Sequence, residues 1–382
     1  MLFSDILGQE HIKSHLTQST NSGRIPHAQL FVGAEGSGTL PMAIAYAQYI
    51  LCSNTNGENN TGNEACNLKF KNFSHPDLHF VFPVAPNKEV KSKPVSANFL
   101  KQWREFITEN PYGSLFDWYK KIDIANKQGQ IGVDEAEETV KALSLKAYEG
   151  GYKVMIIWMA DKMNIATANK LLKLLEEPPQ KTVFILITED EDDILQTIHS
   201  RCQVLHFGGL SEQAIADALV SRENADAAAA LKIAHQAQGN YNKALHLLYK
   251  KENDYPFEEW FVQWVRAAFR AKGNAAAILD LISWSEQIAG IGREAQKQFL
   301  DFCINMFRQA LLLNYQAKEL VYMEPTVDKF KLENFAPFVN GNNINDIFKE
   351  LADASYHIER NGNAKIILTD LSIKLTRLIH KK

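Results

Sequence analysis

"HAQLFVGAEGSGTLPMA", residues 27–43, reads as a strand, a glycine loop and a helix in immediate succession. The run 28–32 is apolar enough for a strand buried on both faces. Gly33 and Gly38 punctuate the turn, and Pro41 suits a first helical turn, where its missing N–H is no loss. The glycine spacing is that of the phosphate-binding pattern G-x-x-x-x-G-K-[ST], but Thr39 and Leu40 stand where the lysine and the magnesium-holding hydroxyl belong. Leu40 offers no oxygen to a hard cation. The stretch keeps the form of a nucleotide loop without the groups that carry its charge, so no bound nucleotide is expected.

Outward from this loop the same rhythm repeats. "DLHFVFPV" (77–84), "YKVMIIWMA" (152–160) and "TVFILITE" (182–189) are strand-like, and between them lie segments whose apolar residues recur at three- and four-residue steps. The pattern predicts an α/β domain with a parallel sheet. The third run delivers Trp158 and Met159 where a working nucleotide enzyme ends its strand in paired acids, and Asp161 comes too late to replace them. Residues 53–67 are polar and turn-rich and predict a surface excursion.

After residue 208 the strand signals stop. Ser211 reads as an N-cap with Glu212 in the first turn, and helical patterning continues to the chain end, interrupted by a linker-like stretch at 249–260. This gives three expected domains: an α/β domain over 1–208, a small helical lid over 209–251 and an all-helical domain over 252–382. Trp260, Phe261, Trp264 and Phe269 predict apolar stripes beyond what a small bundle needs, and so an oligomerisation surface.

A chain of 382 residues is long for one core, which favours several domains. Its net charge of −4 advertises no autonomous nucleic-acid binding. The start lacks a secretion signal and no run is long enough to span a membrane, so the expectation is a cytoplasmic protein without membrane contact. Cys52, Cys66, Cys202 and Cys303 lack paired spacing, and no disulfide framework is expected.

"ATANKLLKLLEEPPQKTVFILITEDEDDILQTIHSRCQVLHF", residues 166–207, resembles the bacterial clamp-loader branch of the AAA+ ATPases, with a helix, a strand and an "SRC" element in the same order. "FSDILGQEHI", "GRIPHAQLFVGAEGSG", "HPDLHFVFP" and "GGYKVMIIWMADKMN" agree, and "ERNGNAKIILTDL" resembles the helical collar of the same family. Loss of both nucleotide motifs with "SRC" retained is similar to the delta prime type. The resemblance implies a subunit without ATPase activity of its own. It would act in a hetero-oligomer with gamma/tau and delta type subunits, loading a sliding clamp onto primed DNA. It also implies that Arg201, flanked by Ser200 and Cys202, reaches a neighbour's ATP and magnesium, a role suited to a planar, always-charged guanidinium.

Other carried-over positions are expected to be silent. Thr188 matches a polar residue beside the γ-phosphate, and Lys243 a second sensor; without nucleotide they read as a strand end and a solvated helix-end lysine. Related subunits carry a four-cysteine zinc module, whereas here Cys52 and Cys66 remain among Thr61, Asn63, Glu64 and Asn67, with His75 and His79 beyond. Zinc is not expected from so irregular a set. Lys88, Lys91 and Lys93 with Trp103, Phe106, Tyr112 and Trp118 mark the 84–132 interval. Its helical spacing favours an insertion packed over the sheet rather than a nucleic-acid surface. Rival readings are an active P-loop ATPase, a direct DNA-binding module, and another clamp-loader subunit of delta or gamma/tau type.

Overall fold

The computed structural model describes residues 1–53, 64–148, 151–249, 255–323, 325 and 327–381. Thr61, Asn63 and most of the polar excursion, together with 250–254 of the linker, lie outside the described residues. The chain divides into two compact units, Met1–Ile124 with Gly129–Lys250, and Ala125–Gln128 with Lys251–Lys382.

In chain order the first unit contains α1 (Glu10–Asn21), β1 (Ala28–Gly33), α2 (Thr39–Cys52), α3 (Glu64–Lys71), β2 (Leu78–Val81), α4 (Leu100–Glu109) and α5 (Leu115–Lys121). It continues with α6 (Val133–Ser144), β3 (Lys153–Ile157), α7 (Ile165–Glu176), β4 (Thr182–Thr188), α8 (Gln196–His199), β5 (Gln203–Phe207), α9 (Glu212–Glu223), α10 (Ala227–Ala237) and α11 (Tyr241–Leu248). The strands form one sheet in the order β2-β3-β4-β1-β5, and every pairing is parallel. Both faces are covered, as the apolar runs require. Along β4, Val183, Ile185 and Ile187 enter one core while Phe184 and Leu186 enter the other, and β1 alternates likewise with Phe31 opposed to Leu30 and Val32.

The fifth strand adds to the sequence reading, which named four strand-like runs before residue 208. β5 lies at the sheet edge, pairing only with β1, and leaves several side chains partly in solvent. An edge strand half in water lacks the continuous apolar run that marks its neighbours. Ser211 caps α9 as expected, its side chain accepting from Ala214 N at 3.1 Å.

The 84–132 insertion is helical and packs on the sheet. Trp103 of α4 stacks on Phe82 at 4.2 Å and meets Trp118 of α5 and Trp158 edge-on or tilted at 5.1 Å. Those rings are buried, so none is presented to a base. Glu135 of α6 fastens the insertion's entry by accepting from Ser96 N at 2.6 Å. Burial pushes its carboxyl up to about 7, the Ser96 bonds opposing in part. A carboxyl raised above its unfolded value keeps its proton longer in the native state, so stability falls as pH rises from the ordinary Glu value to about 7 and is level above. The cost at pH 8 is about 3 kcal/mol. Glu135→Gln retains the acceptor without the charge, and its melting-temperature advantage over wild type should widen between pH 5 and 8; a constant difference would contradict this.

The second unit is all helical: α12 (Phe257–Arg270), α13 (Ala275–Ala289), α14 (Arg293–Asn314), α15 (Leu332–Phe335), α16 (Ile344–Glu359) and α17 (Ala364–Leu378). Trp264 stacks on Trp284 at 4.9 Å and donates its Nε1–H to Ser372 Oγ at 2.9 Å. Trp260 and Phe261 are buried too. The expected surplus of apolar surface on α12 therefore shrinks to Phe269, because the others form the unit's own core.

Among the described residues no helix is long and apolar enough to cross a membrane. Cys52 and Cys66 form a disulfide with Cα atoms 5.5 Å apart, which corrects the expectation that the cysteines stay unpaired. The packing of α3 on α2 brings two buried thiols together, a juxtaposition that a sequence separation of 14 does not reveal. Among the described residues no group of three or more potential metal ligands occurs.

Candidate functional site

The loop between β1 and α2 sits at the carboxyl edge of the sheet, where open α/β sheets place their ligands. Gly36 and Gly38 have φ of 71° and 96°, left-handed conformations that favour glycine. A Cβ on Gly36 would lie 2.0 Å from Asn240 Oδ1. That distance reports how closely α11 is seated on the loop, and Tyr241 N donates to Gly36 O at 3.3 Å.

Side chains crowd the space in front of the loop. Leu40, Trp158 and Met159 turn inward, and Tyr112 from the insertion covers Gly38, its Cε1 3.2 Å from a Cβ built there. What remains is a cavity of about 20 Å³. That is room for about one water molecule, against roughly 300 Å³ or more for a small-molecule site. Met159, at φ 53°, stands at the strand end where acids were missing from the sequence. Asp161 is engaged elsewhere, with Lys162 Nζ at 2.8 Å and Thr188 Oγ1 at 3.1 Å. Thr188 is thus a buried strand end, tied to its own turn by Asp190 O at 2.8 Å. Lys243 lies in the first turn of α11.

The loop also carries a carboxylate. Glu35 accepts from Asn240 Nδ2 and Asn242 Nδ2, both at 3.2 Å. Burial pushes its pKa up, while the two amide donors pull it partly back. Asn242 Nδ2 also donates to Asp117 Oδ2 at 2.8 Å, joining loop, insertion and α11 through one polar network. Sequence reasoning passed over Glu35, Asn240 and Asn242. The acid inside the glycine loop was the available signal, because it opposes phosphate where the pattern wants a positive charge.

Arg201 occupies the opposite edge. β5 runs parallel to β1 with Gln203 beside Gln29, so the turn holding Ser200, Arg201 and Cys202 precedes the sheet while the glycine loop follows it. At about 3.3 Å per residue the edges are roughly 15 Å apart. The Arg201 side chain is 36% exposed, donating from Nη1 to Thr197 O at 2.8 Å and from Nη2 to Glu176 Oε1 at 2.5 Å. Ser200 Oγ donates to Thr197 O at 3.2 Å. Burial pushes the Cys202 thiol up to about 11, which leaves it protonated and unreactive near neutral pH. The structure thus separates the sequence-predicted residues: Gly33, Gly38, Thr39 and Leu40 belong to one edge, and the "SRC" element to the other.

Residues 8–211 match the family described as DNA polymerase III, delta subunit. The chain is similar to DNA polymerase III subunit delta' of Bacillus subtilis, 30% identical over 215 residues, covering 56% of this chain and 52% of that protein. Subunit delta' of Escherichia coli is 29% identical over 209 residues, covering 54% and 50%. Subunit tau of B. subtilis is 30% identical over 213 residues, covering 56% and 30%. The chain thus spans about half the length of these delta' proteins and less of tau. Because the family match takes in more than half of the chain and coincides with the α/β unit whose residues carried the resemblance, the chain belongs to the DNA polymerase III delta subunit family.

Proposed function

We propose that this chain is a clamp-loader subunit that does not turn over ATP itself and lends Arg201 to the ATP site of a neighbouring subunit. It would act within a DNA polymerase III assembly that places a sliding clamp on primed DNA. One observation carries the reading. The edge of the sheet where a nucleotide would bind is closed by Leu40, Tyr112, Trp158 and Met159, while the far edge holds a part-exposed arginine. Such an arginine is too distant to serve the chain's own loop, so any phosphate it meets is another subunit's. The collar role belongs in this reading to the helices of 252–382. A tau-type subunit is the nearest alternative, given its comparable identity, and Thr39 and Leu40 speak against it.

Titration calorimetry with MgATP tests the first half. Wild type should show no binding, and Thr39→Lys with Leu40→Thr should not restore it. The added lysine supplies charge, but a cavity of about 20 Å³ and the Glu35 carboxylate stay in place. Micromolar affinity of the unmodified chain would overturn the reading.

A further inference from the structure

The helical unit carries an open cavity of about 500 Å³ between α12, the 329–338 segment and Ile379. Its floor holds part of the apolar surface that the unit's core leaves over. Phe269 is 44% and Phe338 36% exposed, and their rings meet edge-on at 4.9 Å. Phe330 and Phe335, 5.9 Å apart, continue the wall.

Every charged residue lining the cavity is basic: Arg266, Arg270, Lys329 and Lys331. Arg266 Nη2 donates to the Lys329 carbonyl at 2.8 Å, which holds its guanidinium over the 329–331 turn. Arg270 shares its charge with Asp280 of α13 at 3.1 Å. Lys329 and Lys331 make no ion pair among the described residues. Asn334, on the same rim, offers an amide with both donor and acceptor capacity.

We propose that this cavity docks an acidic peptide segment of a partner protein, with an apolar side chain on the Phe269 and Phe338 floor and carboxylates on Lys329, Lys331 and Arg266. Charge complementarity selects that occupant. Arg266 on α12, whose guanidinium is bonded only to backbone carbonyls among the described residues, and Lys329 and Lys331 on the 329–338 segment suit several carboxylates along a chain rather than the single headgroup of a small amphiphile, and a basic segment is repelled. The apolar floor supplies the anchor that peptide grooves require. Asn334 adds a partner for the peptide backbone. The site lies wholly within the helical unit and goes beyond the ATP-site reading.

The test is fluorescence anisotropy of the full chain with labelled peptides DELFEDL, KKLFKKL and DEAAEDA. The first should bind, with an affinity that falls as salt rises, while the other two should not. Lys329→Glu with Lys331→Glu should weaken it by about tenfold, and Phe338→Ser by a similar factor. All three positions are exposed, so melting temperatures should hold. Equal binding of the basic peptide, or affinity indifferent to these substitutions, would overturn the site. So would a dimer in sedimentation velocity that Lys329→Glu with Lys331→Glu dissolves, since a second copy would then be the occupant.

Discussion

Arg201→Ala should sharply reduce clamp loading by a reconstituted loader while leaving this chain folded and assembled. The side chain is 36% exposed and, among the described residues, bonds to Thr197 O and Glu176, so its removal opens no core cavity. In other phosphoryl-transfer systems an arginine supplied in trans contributes on the order of 10³ to 10⁵ in rate. Here it would act on one neighbouring site, so total ATPase should fall partially and loading, which needs the sites to work together, should fall further. Arg201→Lys should rescue poorly, because an ammonium cannot reproduce the two-pronged geometry of the guanidinium. The measurements are clamp- and DNA-stimulated ATPase and clamp loading, with thermal melting as the control for folding. Loading at the wild-type rate by Arg201→Ala would refute the mechanism.

Trp103→Ala should be the most destabilising single change in the α/β unit. The indole is fully buried, stacked on Phe82 and flanked by Trp118, Trp158 and Phe106. Truncating such a ring removes its transfer free energy and leaves a cavity that rigid neighbours cannot collapse, about 3–5 kcal/mol in all. For a domain of this size that is a fall on the order of 10 °C in melting temperature. Trp103→Phe should recover much of it by keeping a ring against Phe82. The same pair of variants separates packing from nucleic-acid contact. If the insertion met DNA through its aromatics, Trp103→Ala would lower affinity for primed DNA and spare the melting temperature.

Four of the five strands were legible because a strand buried on both faces must be apolar at nearly every position, as Val183 to Ile187 are. β5 escaped notice because, unlike β2 at the other edge, it lies half in solvent and is free of that demand. That Thr39, Leu40, Trp158 and Met159 stand where the phosphate-binding pattern wants a lysine, a hydroxyl and paired acids was equally legible, since these are chemical identities rather than contacts. What packs around the loop was not. Tyr112 is far from Gly38 in sequence, as Asn240 is from Glu35, and only the folded chain brings them together. The same holds for Glu176 at the end of α7 beside Arg201 just after α8, with β4 between them in sequence, and for Cys52 beside Cys66. Long-range partners leave no local periodicity to read.

A parallel sheet is a polar object with unlike ends, and here the ends differ in what they exchange with the surroundings. On the proposed reading, one end offers the part-exposed Arg201, while the other, with about 20 Å³ left between Leu40, Tyr112 and Trp158, takes no nucleotide. Copies of a symmetric donor-and-acceptor subunit could be strung head to tail without limit. A chain that gives and does not receive can stand only at a terminus of such a row, so the packing of Leu40, Tyr112 and Trp158 would fix where in a ring the succession of working sites stops.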